Sequence, residues 1–205
     1  MNWLQSLAGI APIAAAVTAS LAIVLDDRRW MLAMLGGEYM CLAWFTAVEL
    51  TGGMATVKLL VGLLVCAGLT ITLLHETKST PGMQRWVIPS GRTFRLIAVL
   101  LICISAWGLT RNNWTPVPGI SPPGATGSMV LIGLGLLHLG ISEEPFRVGI
   151  GLLTTLAGFE VAYGVIEPSL AMMTLLAAVH LGIAVVVSYL IAGAPGREEE
   201  RLGKA

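Results

Sequence analysis

Residues 26–53 read DDRRWMLAMLGGEYMCLAWFTAVELTGG. Four charged residues, Asp26-Asp27-Arg28-Arg29, give way to a long apolar run that ends at the turn Thr51-Gly52-Gly53. A helix needs about 20 apolar residues to cross the hydrocarbon of a bilayer. The run is long enough, so it predicts a transmembrane helix over 30–50. One acid, Glu38, interrupts its middle. An ionisable group at such a place is expensive and is by default a sign of function.

Six more stretches have the same apolar character: 4–25, 54–74, 94–110, 126–142, 146–166 and 170–192. Composition agrees. The chain of 205 residues is 56% hydrophobic and 12% charged, where a soluble domain carries roughly 25% charged residues. Its mean hydropathy is +0.82. The expectation is an all-α membrane protein of about seven transmembrane helices in a single integral membrane domain, 1–205. Net charge is zero, which gives no reason to expect nucleic acid as a partner. Cys41, Cys66 and Cys103 lie in apolar stretches without a CxxC or a histidine-partnered metal pattern, and read as reduced thiols of the packed interior. Met1-Asn2-Trp3 lacks the positive start of a cleavable signal peptide.

Seven spans place the two termini on opposite sides. Arg28, Arg29, Lys78, Arg85, Arg92, Arg95, Arg147, Arg197, Arg201 and Lys204 then share the side of the C-terminus, and Arg111 stands alone on the other. Six or eight spans would scramble that bias. Loops rich in Lys and Arg stay in the cytoplasm, so the reading is N-terminus outside and C-terminus inside, in a bacterial or archaeal inner membrane. The connection 75–93 is then cytoplasmic, with Trp86 as an interfacial anchor. The connection 111–125, with Pro116, Pro118, Pro122 and Pro123, is expected to be an extended outer loop.

Glu38 is followed twenty residues later by Lys58, and Glu160 twenty residues later by His180. Each acid sits two residues after a glycine, Gly36 or Gly158. An acidic turn precedes each unit's second helix, Asp26-Asp27 or Glu143-Glu144, and a tight turn beside a further acid, Glu49 or Glu167, follows it. This pattern predicts two parallel three-helix repeats, 1–75 and 126–192, joined by a linking helix over 94–110.

The four buried-looking groups, Glu38, Lys58, Glu160 and His180, are the candidate proton path. A carboxyl in oil is costly to ionise unless a cation is near, and a group so poised can take up and release a proton. Depth separates the two pairs. Lys58 lies roughly 13 Å along the membrane normal from Glu38, which predicts a water link within that pair. Glu160 and His180 are close enough in depth for a direct or one-water contact. Lys58 also has a second reading, snorkelling to the headgroups, and His180 a second reading as a satisfied core histidine. Glu49 and Glu167 read as solvated helix ends, and His138 as an interfacial histidine. The glycines, such as Gly133, Gly135, Gly149, Gly151 and Gly158, read as close helix-packing positions.

The stretch from Arg29 through Gly36 and Glu38 to Met40 resembles the second helix of the K-type small membrane subunit of complex I. Its relatives are the C-type subunit of multisubunit cation/proton antiporters and the E-type subunit of membrane-bound hydrogenases. In that family a basic cytoplasmic turn leads to a Met/Leu-rich helix with Gly-x-Glu. The next helix there carries a second glutamate four residues before a glycine; here Lys58, four before Gly62, stands in its place. The stretch from Gly151 to Ile191 is similar to the last helices of the larger hydrogenase-type version, with Glu160 as the matching acid and His180 as the polar residue of the final helix. The resemblance covers about two thirds of the chain. It implies a non-redox subunit that sits among large antiporter-like subunits and passes protons along a mid-membrane chain, with no cofactor of its own.

Three other classes compete. A structural or assembly subunit would explain the many small residues. A haem or chlorophyll protein would use His138 and His180, but these differ in depth by roughly 13 Å, too far to clasp one ring from both faces. An enzyme working alone would need a nucleophile–base pairing, a metal cluster or a phosphate loop, and the chain has no such motif.

Overall fold

The computed structural model describes residues 2–50, 52–76, 91–111 and 119–193. These form seven helices: α1 Asn2–Val24, α2 Arg28–Glu49, α3 Gly52–Glu76, α4 Arg92–Arg111, α5 Pro122–Ile141, α6 Pro145–Ile166 and α7 Leu170–Ala192. Six of them, α2 to α7, are long and apolar enough to cross a membrane, and α1 adds the apolar stretch Gly9–Val24. The chain is an all-α, multi-pass membrane protein. The cytoplasmic candidates Lys78, Arg85, Trp86, Arg197, Arg201 and Lys204, and the loop prolines Pro116 and Pro118, lie outside the described residues.

The helix starts follow local chemistry. Asp27 caps α2, its carboxylate accepting from the Arg29 N–H at 3.0 Å. Ser169 caps α7 through the Met172 N–H at 3.2 Å. Pro145 opens α6 directly after Glu144, a position where the missing proline N–H has no partner to lose. The same rule corrects one expectation. Residues 122–125 were expected in an extended loop, yet α5 begins at Pro122, because Pro122 and Pro123 sit in the first helical positions behind Ser121. Gly119, just before, has φ +87°, which a side chain would strain.

The packing pairs helices in sequence order. α1 lies against α5, α2 against α6 and α3 against α7, while within each set α1 meets α2, α2 meets α3, α5 meets α6 and α6 meets α7. α4 lies outside this double row, on α5 with an edge on α1. Its outer face presents Leu96, Ile97, Leu100, Leu101, Ile104 and Trp107. An apolar face of that extent is untenable in water and suits lipid.

Glycine makes the closest seam. A Cβ on Gly158 of α6 would stand 2.8 Å from Leu131 Cβ and 2.9 Å from both the Ile132 nitrogen and the Ser128 oxygen of α5. One on Gly135 of α5 would stand 2.6 Å from the Thr155 nitrogen. The two backbones are in near contact, the arrangement small residues allow in membranes. Ser128 adds a 2.7 Å hydrogen bond from its hydroxyl to the Gly158 carbonyl.

At one end of the bundle the turns between α1 and α2 and between α5 and α6 meet in a charged network. Arg28 pairs with Glu144 at 2.6 Å, and Arg147 with Glu144 at 3.0 Å. Arg147 also donates to the Asp26 carbonyl at 3.1 Å. Asp26 in turn receives Arg92 at 2.8 Å and Arg95 at 2.7 Å. Each acidic turn is therefore tied to an arginine of the other unit or of α4. Burial works against ionising Asp26, but the hydrogen bonds from Arg95 and then Arg92 outweigh it and hold its pKa below the ordinary 3.8. We refer to this as the basic end.

Candidate functional site

Eleven polar or charged residues are buried among the described residues, and the four sequence candidates are among them: Glu38 at 1% exposure, Lys58 at 4%, Glu160 at 6% and His180 at 1%. They sit where α2, α3, α6 and α7 converge. Lys58 and Glu160 each lie six residues from the non-basic end of their helices, about 9 Å in at 1.5 Å per residue. Glu38 is ten residues from the start of α2 and His180 ten from the start of α7, about 15 Å in from those ends.

The partners differ from those expected. Lys58 does not reach for the headgroups. Its Nζ donates to Glu160 Oε2, an ion pair between α3 and α6 that spans the two halves of the chain. The Glu160–His180 proximity holds, with His180 Nε2 3.8 Å from Glu160 Oε2. Lys58 is not the direct partner of Glu38. Thr154 of α6 donates to Glu38 Oε2 at 3.0 Å, leaving Oε1 without a hydrogen-bond partner among the described residues. The reason is topological. Pairing by sequence spacing assumed that each unit closes on itself, whereas α3 packs on α7 and α2 on α6, so the Lys58–Glu160 and Glu38–Thr154 contacts run between units.

The tautomer of His180 follows from its other nitrogen. Nδ1 lies 2.9 Å from the Leu176 carbonyl, which can only accept. Nδ1 therefore carries hydrogen, and neutral His180 presents the lone pair of Nε2 to the Glu160 carboxyl. Glu160 Oε2 thus lies between the Lys58 ammonium and the His180 imidazole.

Tyr39, not singled out from the sequence, completes the cluster. Its ring lies beneath Lys58 Nζ, 5.5 Å from the centroid, and meets the His180 ring edge-on at 5.7 Å and 67°. A cavity of about 10 Å³, close to the least that admits one water, lies beside the ion pair toward the non-basic end. Phe45, Thr46, Leu50, Val161 and Met173 complete its lining.

His138 lies three residues from the basic end of α5, the depth expected of an interfacial histidine, but it is 2% exposed and packs against Gly151. Glu49 and Glu167 are exposed at helix ends, as expected. Thr154 and Tyr39 carried one weak sequence signal: each is a polar group within an apolar helix. Arg147, 1% exposed, entered the sequence reading only as a loop charge.

No family model, no curated protein and no solved structure gives a significant match to this chain.

Proposed function

We propose that this chain is a non-redox subunit of a proton- or cation-translocating membrane complex, of the complex I, antiporter or hydrogenase-like kind, and that Glu38, Lys58, Glu160 and His180 form its mid-membrane proton path. One observation carries the reading. A lysine and a glutamate from different halves of the chain are buried as an ion pair, with an imidazole beside the same carboxylate. Removing two charges from water is a heavy penalty that their attraction alone often fails to offset. A chain selected only for stability would do as well with apolar residues there.

The roles follow from the contacts. Lys58 pairs with Glu160; protonation of Glu160 through His180 releases Lys58; Glu38, held by Thr154, is the acid toward the basic end. The cavity lets a water approach the ion pair from the opposite end. The basic end is the cytoplasmic one, by its arginines, in a bacterial or archaeal inner membrane. The apolar outer faces meet lipid and neighbouring subunits, large antiporter-like ones among them. The side-by-side pairing of α1 to α3 with α5 to α7 supports a parallel duplication.

The test is proton flux. The tagged full-length chain, with the proteins that copurify, is reconstituted in vesicles holding a pH-sensitive dye, and a potassium diffusion potential drives uptake. Glu38→Gln should abolish or sharply cut uptake while the assembly stays intact. Wild-type uptake in the Glu38→Gln assembly would end the proposal.

A structural or assembly role is the second reading, favoured by the arginine network of the basic end and the glycine seam of α5 and α6. It requires that Glu38, Lys58 and His180 variants alter only complex stability. A native gel run beside the flux assay separates the two.

A further inference from the structure

Tyr39 is 3% exposed, and its hydroxyl has no hydrogen-bond partner among the described residues. A buried hydroxyl normally finds one. If the ring served only to pack against Lys58 and His180, phenylalanine would do so without stranding a polar atom. Two other atoms in the same region share this condition: Glu38 Oε1, on the adjacent residue, and His180 Nε2, on the ring that Tyr39 touches. Glu38 is the neighbour of Tyr39 in α2, and Glu160 holds the Lys58 ammonium that lies over the Tyr39 ring. Tyr39 thus borders both groups of the path, Glu38 with Thr154 on one side and Lys58, Glu160 and His180 on the other.

Its place is set by backbone. A Cβ on Gly62 of α3 would lie 2.6 Å from Tyr39 Cβ and 2.7 Å from Cγ. α3 comes this close only because residue 62 is glycine, and the ring is wedged between α3 and the His180 side of α7.

We infer that the Tyr39 hydroxyl is the link that carries a proton between Glu38 and the Glu160–His180–Lys58 group. The inference rests on the proton-path reading above and adds a residue to it. A protonated Glu38 gives its proton to the Tyr39 oxygen while the phenol's own proton leaves for His180 Nε2. Glu38 becomes carboxylate, His180 imidazolium, and Tyr39 is neutral before and after. His180 then passes the proton from Nε2 to Glu160, which is neutralised and releases Lys58. One proton has moved, and rotation of the hydroxyl resets the link. The approach to hydrogen-bond distance is made by side-chain motion or through one bridging water.

The vesicle assay tests this with three proteins beside wild type. Tyr39→Phe keeps the ring and removes the hydroxyl, and should lower proton uptake at least about tenfold, the lower side of what a positioned acid–base group contributes. A chain with 3-fluorotyrosine placed at position 39 keeps the hydroxyl but makes it more acidic, and should shift the pH at which uptake is half-maximal. A packing role would move neither uptake in the first nor the pH profile in the second. Glu38→Gln reports on the path itself. Wild-type uptake by Tyr39→Phe beside a dead Glu38→Gln overturns the inference and leaves the path standing. Wild-type uptake by Glu38→Gln, or no uptake by wild type, overturns both. Should Tyr39→Phe fail to assemble, the fluorotyrosine chain decides, and an unshifted pH profile counts against the link.

Discussion

Lys58 of α3 and Glu160 of α6 form a buried ion pair although 102 residues separate them in sequence. Neither belongs to the other's three-helix unit. The pair therefore fastens one half of the bundle to the other, and it does so next to His180 and Tyr39.

Removing one partner strands the other. Lys58→Met or Glu160→Gln alone should cost about 3–5 kcal/mol, the usual penalty for an uncompensated buried charge. The double variant should recover much of that loss, because no full charge is left behind. Denaturant titration in mixed micelles measures all three. Additive losses in the double variant would show that the two side chains do not interact.

The glycine seam makes a second prediction, with a built-in control. Gly158→Ala forces a methyl to within 2.9 Å of α5 backbone atoms and should destabilise by about 1–3 kcal/mol, as overpacking does. Gly182→Ala in α7 meets nothing within 4 Å and should be neutral or slightly stabilising through helix propensity. Equal melting temperatures for the two variants would contradict the close approach of α5 and α6.

Asp26 sets a pH dependence. Its pKa is held below 3.8 by Arg95 and Arg92 against the effect of burial. A depressed carboxylate contributes stability that is present above the unfolded value and is lost as pH falls through the folded one. Thermal stability in detergent should accordingly decline below about pH 4 by this route, and Asp26→Asn should flatten that part of the curve. The effect is modest, since Arg92 is largely exposed. An unchanged acid limb in Asp26→Asn would remove Asp26 from the network's energetics.

Filling the small cavity tests access to the ion pair from the non-basic end. Val161→Leu adds volume beside Lys58 and Glu160. It should lower proton uptake in vesicles with less than about 1.5 kcal/mol change in stability, as for a tolerated apolar exchange. Undiminished uptake would show that water does not reach the pair by this route.

The linear order of residues was enough for the membrane class, the seven helices and the acids that had to be buried. Apolar run length, charge clusters and turn residues are local properties, and membrane insertion reads them locally. The bounds of α7 follow from Ser169 and from the apolar run alone. Even the start that is furthest from its expected place, at Pro122, obeys a local rule about proline in the first turn. The spacing of twenty residues was a poorer guide. It matched Glu38 with Lys58, whereas the fold gives Glu38 to Thr154 and Lys58 to Glu160. Which buried groups meet depends on how α3, α6 and α7 pack across the bundle. That packing is governed by glycine approaches such as Gly62 on Tyr39 and Gly158 on α5, contacts between distant segments that no periodicity within one helix encodes. Desolvation decided which residues need partners; helix packing decided which partners they have.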